Sequence, residues 1–324
     1  MMPDCKVITG DALDHLPLQD PESVQCCITS PPYYGLRDYG HAGQIGNEPT
    51  PEEYVARIVE LGRAIRRVLK KDGTFWLNLG DSYYNYRPGG DGLNQHGLHR
   101  GNKSLPASTS RRSRRFATFK EKDRMMIPAR CAIALQEDGW YLRDEIIWFK
   151  PNPMPESVTD RTTKCHEMIY LLTRSQDYFY NYEAIKEPIS EAYANDKRPH
   201  GVLRQRFYPN SKYVKNGLIE LENGSFPNEE RRDTTRNKHS VWPVTVTSTT
   251  DEHFAPYPPD LIKPCILAGS RLGDTILDPC AGRGTTGAVA MELGRNSILI
   301  ELNPKYAALC CATIADVTPG LPLT

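Results

Sequence analysis

The sequence predicts an α/β fold built on a circularly permuted Rossmann-like sheet, and three observations lead to this prediction. Strand and helix patterns alternate in residues 1–82 and again in the last 70 residues, which is typical of a parallel sheet. A strand, a glycine-rich turn and a helix follow one another at 275–294. Only 37 residues lie beyond Gly287, enough for one further strand and helix, so the other strands of the sheet must come from the beginning of the chain.

The N-terminal block contains three strand patterns and one long helix pattern. The helix is predicted across residues 50–73, because Thr50 is a suitable N-cap, Pro51 stands in the first turn and Gly73 follows the end. Acidic residues come early in this segment and basic residues late, as the helix dipole favours. The predicted strands are CKVITGD at 5–11, VQCCITS at 24–30 and TFWLNLGDS at 74–82.

Composition divides the chain into three parts. Residues 1–183 form the N-terminal part of the α/β domain and include a basic, Gly- and Ser-rich stretch at 83–120, which is predicted to be a long loop. Residues 184–240 are polar again and are predicted to be an inserted region that faces the substrate. Residues 241–324 complete the α/β domain and carry the glycine-rich turn.

The bulk composition excludes several classes of protein. Lys plus Arg and Asp plus Glu number 40 each, so net charge alone indicates no partner. The nine cysteines include no C-x-x-C pair, which favours reduced thiols over a disulfide framework or a zinc site, and we expect no bound metal. No run of about 18 apolar residues is present, and Asp4 lies where a signal peptide would be basic. We therefore expect a soluble, cytoplasmic protein without membrane contact.

The glycine-rich turn contains Gly282, Gly284 and Gly287 in the G-x-G-x-x-G pattern, and Glu301 follows where an acid that binds ribose belongs. Taken alone, the pattern indicates a dinucleotide or an ordinary turn. Asp278, at the tip of the preceding strand, would repel a pyrophosphate and suits a cationic ligand. S-adenosylmethionine carries a sulfonium and an ammonium, has no phosphate, and needs a close approach of glycine backbone. We therefore predict S-adenosyl-L-methionine as the cofactor.

A second motif, TSPPY at 29–33, ends a predicted strand, because consecutive prolines remove two backbone donors. Alone, it is explained as well by a plain proline-terminated strand. Together with DPCAGRGTT at 278–286, and in this order, it resembles the site-specific DNA amino-methyltransferases of the permuted β class. The resemblance implies an S-adenosylmethionine-dependent methyltransferase sheet, double-stranded DNA as the substrate, and a target-recognition role for the 184–240 insert.

The resemblance also implies roles for individual residues. Asp11 would accept a hydrogen bond from the cofactor's adenine, Glu301 would bind its ribose and Phe254 would close over it. The catalytic tetrapeptide would be Ser30, Pro31, Pro32 and Tyr33. Residues of the second motif would lie at the methionine end of the cofactor: Asp278, Pro279, Cys280, Gly282, Gly284, Thr285 and Thr286. The family more often has Phe at the position of Cys280 and a small residue at that of Arg283, which affects packing against the cofactor.

The tetrapeptide suits the chemistry of an exocyclic amine, whose lone pair is delocalised into the base. Two acceptors for the amino protons, the Ser30 hydroxyl and a main-chain carbonyl, which we expect to be that of Pro31, would free the lone pair for direct displacement. The base must first leave the double helix, and we expect Tyr33 to face its ring, with Tyr34 assisting.

Several alternatives remain open. Pro279-Cys280 resembles the Pro-Cys of cytosine C5 methyltransferases, although inside the glycine turn the cysteine is better explained as a small packing residue. Ser in the first position is typical of N4-cytosine enzymes, so cytosine is the predicted target and N6 of adenine the alternative. A methyltransferase of RNA or of protein side-chain amides is a second alternative, because a comparable Pro-Pro-Tyr site also works there, although a small-molecule or glutamine-methylating enzyme would not need the long basic insert. A non-enzymatic DNA-binding module would not need two intact motifs.

Basic residues outside the sheet are the predicted DNA contacts. Four arginines of the 83–120 loop, beside Phe116 and Phe119, would contact phosphates and approach the flipped base. The 184–240 insert is predicted to read the recognition sequence. The predicted DNA-binding residues are Arg111, Arg112, Arg114, Arg115, Arg204 and Arg206. A cognate restriction endonuclease is a further candidate partner, and we expect a monomer or a homodimer.

Overall fold

The computed structural model describes residues 3–36, 41, 43–84, 118–189, 235–246 and 257–317, and the chain separates into two compact units. The larger unit consists of Met1–Ala184 and His239–Thr324, and the smaller of Ile185–Lys238. The described strands are β1 Cys5–Thr9, β2 Val24–Thr29, β3 Leu69–Leu79, β4 Tyr141–Phe149, β5 His166–Thr173, β6 Glu187–Pro188, β7 Thr235–Arg236, β8 Val241–Pro243, β9 Thr275–Asp278 and β10 Asn296–Glu301. The described α-helices are α1 Ala12–His15, α2 Pro51–Val68, α3 Ile127–Glu137, α4 Pro259–Gly269, α5 Thr285–Glu292 and α6 Pro304–Ala315.

One sheet of the larger unit contains eight strands in the order β1-β10-β9-β2-β3-β5-β4-β8. The first five strands in this order are parallel to one another. β9 and β10 come last among the described strands along the chain, yet they lie between β1 and β2 in the sheet. The predicted circularly permuted, Rossmann-like α/β fold is therefore confirmed.

The sheet is not wholly parallel, in contrast to the expectation from alternating strand and helix patterns. β5 runs antiparallel to both of its neighbours, β3 and β4. β4 and β5 are joined by residues 150–165, which contain no helix. A parallel pairing of consecutive strands needs a crossover, usually a helix, whereas a direct return produces an antiparallel pair. The missing helix pattern between the two strands was therefore the signal for this reversal.

The long N-terminal helix is shorter than predicted. α2 begins at Pro51 after its Thr50 cap, as expected, but it ends at Val68, and Leu69 already pairs with Val24 of β2. Leu69 is fully buried, so the chain turns into the sheet at the point where this side chain enters the core. Gly73, predicted to follow the helix, lies within β3, where a Cβ would approach the backbone of Gln25 to 2.9 Å.

The core lies on both faces of the central strands. All six residues of β2 are buried, as expected for a parallel strand covered on two sides. α2 places an apolar stripe against the sheet, and its side chains at Tyr54, Ile58, Leu61 and Ile65 are at most 1% exposed. Burying a large apolar side chain of this kind stabilises the fold by roughly 1.5–3 kcal/mol. This packing holds the carboxyl ends of β2, β3 and β9 in fixed positions.

The smaller unit is described only at its two ends. β6 and β7 form an antiparallel pair, and Glu187 forms an ion pair with Arg236 at 3.0 Å. The rest of the predicted insert lies outside the described residues, so its role in target recognition remains a prediction. Across the described parts of both units, every helix is too short or too polar to cross a membrane.

Candidate active site

The Ser-Pro-Pro-Tyr tetrapeptide begins directly after β2, where the chain leaves the sheet. Ser30 Oγ lies 3.2 Å from Tyr33 Oη and 3.1 Å from Asn78 Oδ1. Asn78 belongs to the neighbouring strand β3, and its amide is oriented because Nδ2 donates to the Met168 carbonyl at 3.1 Å. The half-buried Ser30 hydroxyl therefore has two acceptors for its own proton, and its lone pairs remain for another donor.

The two proline carbonyls of the tetrapeptide differ in their partners. The Tyr54 hydroxyl, on α2, donates to the Pro32 carbonyl at 3.1 Å. No donor in the described part of the chain engages the Pro31 carbonyl. Of the two proline carbonyls, that of Pro31 is thus the one without a donor among the described residues, and its expected role as an acceptor for a substrate amine stays a prediction.

Tyr33 is held by its hydroxyl group. Tyr33 Oη donates to Glu167 Oε2 at 2.6 Å and lies 3.0 Å from Asn78 Oδ1. Burial and the charge of Glu167 raise the pKa of Tyr33 well above its ordinary value, so the phenol keeps its proton. Gly80 gives the ring its space, since a Cβ at this position would lie 2.4 Å from Tyr33 Cε2. The expected contact of this ring with a base stays a prediction.

Two aromatic residues that were expected near the base lie in the core instead. Tyr34 is 4% exposed, and its ring centroid is 5.6 Å from that of Tyr54. Phe119 is 8% exposed, with its ring 6.0 Å from Tyr84 and beneath the Arg130 guanidinium. Burying their apolar surface stabilises the fold, and neither ring is free to face a flipped base or a DNA backbone.

Asp278 ends β9 and is 1% exposed. Its Oδ1 accepts hydrogen bonds from Thr29 Oγ1 at 2.8 Å and the Cys280 amide at 3.1 Å. Its Oδ2 accepts from Tyr257 Oη at 2.8 Å and Thr286 Oγ1 at 2.5 Å. Burial raises the pKa of Asp278, and these donors oppose the rise. Asp278 therefore orders the turn through its contacts with Thr29, Cys280, Tyr257 and Thr286, and the direct cofactor contact expected of it stays a prediction.

The hydrogen bond from Thr29 to Asp278 joins the two sequence motifs. Thr29 directly precedes Ser30, and Asp278 directly precedes the glycine turn. Their strands are parallel neighbours, with Cys27 opposite Leu277. The tetrapeptide and the glycine turn therefore leave the same edge of the sheet side by side.

The glycine turn needs glycine for conformation and for space. Gly282 has φ 54° and Gly284 φ 84°, in the left-handed region that favours glycine. Gly284 is the N-cap of α5, and a Cβ on it would lie 2.5 Å from Cys310 Sγ. A Cβ at Gly287 would lie 2.5 Å from Leu299 of β10, so this glycine lets α5 pack closely on the sheet. The three positions thus need glycine for conformation or for space, and the expected contact of Gly282 and Gly284 with a cofactor stays a prediction.

Glu301 lies at the end of β10 beside this turn and is 9% exposed. Its Oε2 accepts from the Gly282 amide and its Oε1 from the Asn303 amide, both at 2.8 Å. Burial raises the pKa of Glu301, and these two amides oppose the rise. Each oxygen keeps a further acceptor site, so Glu301 can still bind a pair of hydroxyl groups.

Asp11 follows the neighbouring strand β1 and caps the short helix α1, where its Oδ1 accepts from the Leu13 amide at 2.8 Å. Its Oδ2 lies 3.4 Å from the Arg57 guanidinium. The Gly10 amide donates to the Glu301 carbonyl at 2.9 Å, which places Asp11 and Glu301 at adjacent strand ends. The structure therefore brings together the two acids expected to bind the adenosine part of a cofactor.

The Pro279-Cys280 pair lies in the turn between β9 and α5, which Thr285 begins. Burial, together with the charges of Asp278 and Glu301, raises the pKa of the Cys280 thiol well above its ordinary value. A thiol is a good nucleophile only as a thiolate. Cys280 also packs, partly buried, against the hydrophobic core, which agrees with the packing role expected for it, and the raised pKa disfavours attack on a cytosine ring.

Other predicted site residues lie outside the described residues. They are Phe254, Arg111, Arg112, Arg114, Arg115, Arg204 and Arg206.

Three residues that contact the site were not predicted from the sequence. Asn78 and Glu167 hold Ser30 and Tyr33, and Tyr257 donates to Asp278. Asn78 had a recognisable signal, because it is a polar residue within the apolar strand FWLNL. Glu167 is a polar residue at the start of an apolar strand, and nothing in the sequence links it to Tyr33.

The fold matches known structures over almost its whole length. The cytosine-N4-specific PvuII DNA methyltransferase aligns with a TM-score of 0.61 at 16% identity, covering 97% of this chain and 89% of that one. A Thermus thermophilus protein described as a DNA modification methylase, solved in complex with S-adenosyl-L-methionine, aligns with a TM-score of 0.56 at 21% identity, covering 98% and 95%. The sheet order and the turn after β9 thus define the fold of the S-adenosylmethionine-dependent methyltransferases.

The sequence comparisons narrow this class. Residues 24–311 match the N6/N4 DNA methylase family, and the chain belongs to that family. The type II methyltransferase M.SmaI of Serratia marcescens is 40% identical over 305 residues, covering 94% of this chain and 89% of the relative. M.Cfr9I of Citrobacter freundii is 39% identical over 298 residues, covering 92% and 83%. The chain is therefore a DNA methyltransferase of the N6/N4 class, as the two motifs predicted.

Proposed function

We propose that the protein transfers a methyl group from S-adenosyl-L-methionine to the exocyclic N4 amine of a flipped cytosine in double-stranded DNA. The observation that carries this proposal is the position of Ser30. Its hydroxyl is held by Asn78 and Tyr33, one residue beyond the Thr29–Asp278 hydrogen bond that joins the tetrapeptide to the glycine turn. An acceptor for an amine and a turn suited to a methyl donor thus lie side by side.

The tetrapeptide acts on the amine by accepting its protons. Ser30 Oγ and the Pro31 carbonyl each have acceptor capacity that the described residues leave unused. Two such acceptors draw the amine nitrogen towards a tetrahedral geometry and make its lone pair available. The fixed φ of proline keeps the carbonyl direction constant, so the amine is oriented before the reaction.

The residues around the glycine turn fit S-adenosyl-L-methionine. Asp278 provides a buried acid whose negative charge would suit a cationic sulfonium, while the turn offers backbone without side chains at Gly282 and Gly284. Glu301 keeps acceptor sites for ribose hydroxyls, and Asp11 lies at the next strand end. When bound, the cofactor supplies a methyl group activated by its positive sulfur. The Thermus structure with this cofactor, although it shares only the fold, supports the same assignment.

Cytosine is the proposed target for two reasons. Ser at the first position of the tetrapeptide is typical of N4-cytosine enzymes, and the fold matches a methyltransferase named as cytosine-N4-specific. The amino group of adenine is the alternative, because the Ser30 hydroxyl can accept a proton from either amine. The type II names of the relatives further support a role beside a cognate restriction endonuclease.

The test is to incubate the protein with isotopically labelled cofactor and genomic DNA, digest the DNA and identify the labelled nucleoside. We expect N4-methylcytosine. N6-methyladenine would replace the proposed target with the alternative, and label at C5 of cytosine would contradict the amine mechanism. An absence of label in DNA would refute the proposed reaction.

A further inference from the structure

A continuous chain of polar groups leads from Ser30 away from the glycine turn. Ser30 Oγ contacts Tyr33 Oη at 3.2 Å, and Tyr33 Oη donates to Glu167 Oε2 at 2.6 Å. The other carboxylate oxygen of Glu167 forms an ion pair with Lys150 Nζ. The four side chains come from three separate segments of the chain, since Lys150 follows β4 and Glu167 belongs to β5.

The far end of this chain is rigidly held. The side chains of Lys150 and Glu167 are 18% and 15% exposed, so both charges are largely removed from water. The Lys150 amide donates to the Cys165 carbonyl at 2.7 Å, and its ammonium lies 4.2 Å from the centre of the Trp148 ring. An ion pair this far from solvent is costly to break, because either charge alone would be left buried.

The hydrogen bonds define which way the protons point. Glu167 can only accept from Tyr33, so the Tyr33 proton points towards the carboxylate. The Tyr33 oxygen is then an acceptor towards Ser30, as is the oriented Asn78 Oδ1. The Ser30 proton is thereby directed away from any substrate amine. Linked hydrogen bonds polarise one another, and the acidic end of the chain strengthens the acceptor at the other end.

We propose that Glu167 is a positioning residue for methyl transfer, which acts through Tyr33 to orient and strengthen Ser30 as the acceptor for the target amine. This inference rests on the proposed amine methylation. As the methyl group arrives, the amine nitrogen gains positive charge, and a carboxylate two hydrogen bonds beyond Ser30 favours that state over the neutral amine. An interaction that grows in the transition state raises kcat without tightening the binding of substrate.

The first test is Glu167→Gln, which keeps the shape and an acceptor oxygen but removes the charge. We expect kcat for methyl transfer to fall about 10- to 100-fold, while KM for DNA and the Kd for S-adenosyl-L-methionine stay within about twofold of wild type. Asp160→Asn is the matched control. Asp160 lies in the connection between β4 and β5 and, like Glu167, forms an ion pair with a lysine, but its pair with Lys122 is exposed to solvent. The control should leave kcat unchanged.

A double-mutant cycle tests the route through Tyr33. Tyr33→Phe removes the hydroxyl that links Ser30 to Glu167 but keeps the ring. If Glu167 acts through this hydroxyl, Glu167→Gln should lower kcat no further in the Tyr33→Phe background. Multiplied losses in the double variant would overturn the proposal, as would a Glu167→Gln variant with wild-type kcat or with impaired DNA or cofactor binding.

A second variant separates the missing carboxylate from the unpaired lysine that Glu167→Gln leaves behind. In Lys150→Met/Glu167→Gln both charges of the pair are absent, and the same loss of kcat is expected. Recovery of wild-type kcat in this variant would show that the buried lysine caused the defect and would overturn the proposal. All effects are measured relative to the wild-type rate, so a wild type that methylates no DNA amine would instead refute the proposed function.

Discussion

Ser30 is the residue on which the proposed chemistry depends most directly. Its hydroxyl contacts Tyr33 and Asn78, while the acids expected to surround the cofactor, Asp11 and Glu301, lie at other strand ends. Ser30→Ala removes an acceptor without opening a large cavity. We expect kcat to fall by at least about 100-fold, the size of effect seen for single preorganised groups, with cofactor affinity nearly unchanged. Isothermal titration and single-turnover methylation measure the two quantities, and a collapse of cofactor binding would contradict the assigned role.

The buried carboxyl group of Asp278 leads to a separate prediction, about how the stability of the fold depends on pH. Burial raises its pKa in the folded state above its ordinary value of 3.8, so folding favours the protonated form. Its contribution to stability is therefore fully present below that ordinary value and is lost as pH rises through the folded pKa. We expect the free energy of unfolding of the wild type, relative to Asp278→Asn, to decrease as pH rises from the ordinary value through the folded pKa. Urea denaturation of both proteins at several pH values measures this difference. If the difference in the free energy of unfolding instead increased with pH, the hydrogen-bond donors would lower the pKa of Asp278 by more than burial raises it.

At the residue scale, the sequence predicted the two motifs but not what holds them. Ser30 and Asp278 were found because each lies in a short pattern of fixed spacing. Glu167 lies 134 positions from Tyr33, and only the pairing of β3 with β5 brings it close. Contacts of this kind depend on strand order and register, which a single sequence does not display.

At the scale of elements, the end of β3 shapes the site through Gly80. A Cβ there would overlap the Tyr33 ring, whose hydroxyl is fixed by Glu167 and Asn78. Gly80→Ala should therefore displace Tyr33 and lower kcat about 10-fold or more, at a stability cost of about 1–3 kcal/mol for overpacking.

Gly273→Ala is the matched control for this substitution. Gly273 has φ 77° and no atom within 4 Å of an added Cβ, so the variant should lose about 1 kcal/mol of stability from backbone strain alone. Its kcat should remain at the wild-type value. Thermal unfolding measures the stability of both variants, and steady-state kinetics measures their kcat. Equal kcat values in the two variants would exclude the proposed displacement of Tyr33.

The sequence predicts the boundary of a helix or strand where local capping residues determine it. It does not predict the boundary where packing into the core determines it. Thr50 and Pro51 fix the start of α2 through capping, and the sequence predicted it. The end of α2 depends on Leu69 entering the sheet beside Val24, and the local pattern of late basic residues pointed further along the chain. The antiparallel direction of β5 likewise follows from its connection to β4 and not from its own residues.

At the scale of the whole molecule, the permuted strand order makes the two ends of the fold interdependent. β1 pairs with β10, and β2 lies between β9 and β3, so the N-terminal strands are not neighbours of one another. A fragment of residues 1–246 lacks the two strands that separate β1 from β2. We expect this fragment to show no cooperative unfolding transition when it is followed by circular dichroism. Co-expression of the fragment with residues 257–324 should restore the transition. A cooperative transition in the 1–246 fragment alone would contradict this dependence.

The Thr29–Asp278 hydrogen bond joins an early and a late part of the chain, so it can form only late in the synthesis of the protein. Its partners are 249 positions apart, yet they set how Ser30, the proposed amine acceptor, lies against the glycine turn. A ribosome that has made Ser30 but not yet β9 and β10 holds a chain with half of the site. Reacting atoms must meet within about 3–3.5 Å, a tolerance that this nascent chain cannot meet. We therefore expect methylation of DNA only from chains in which β9 and β10 have already been made.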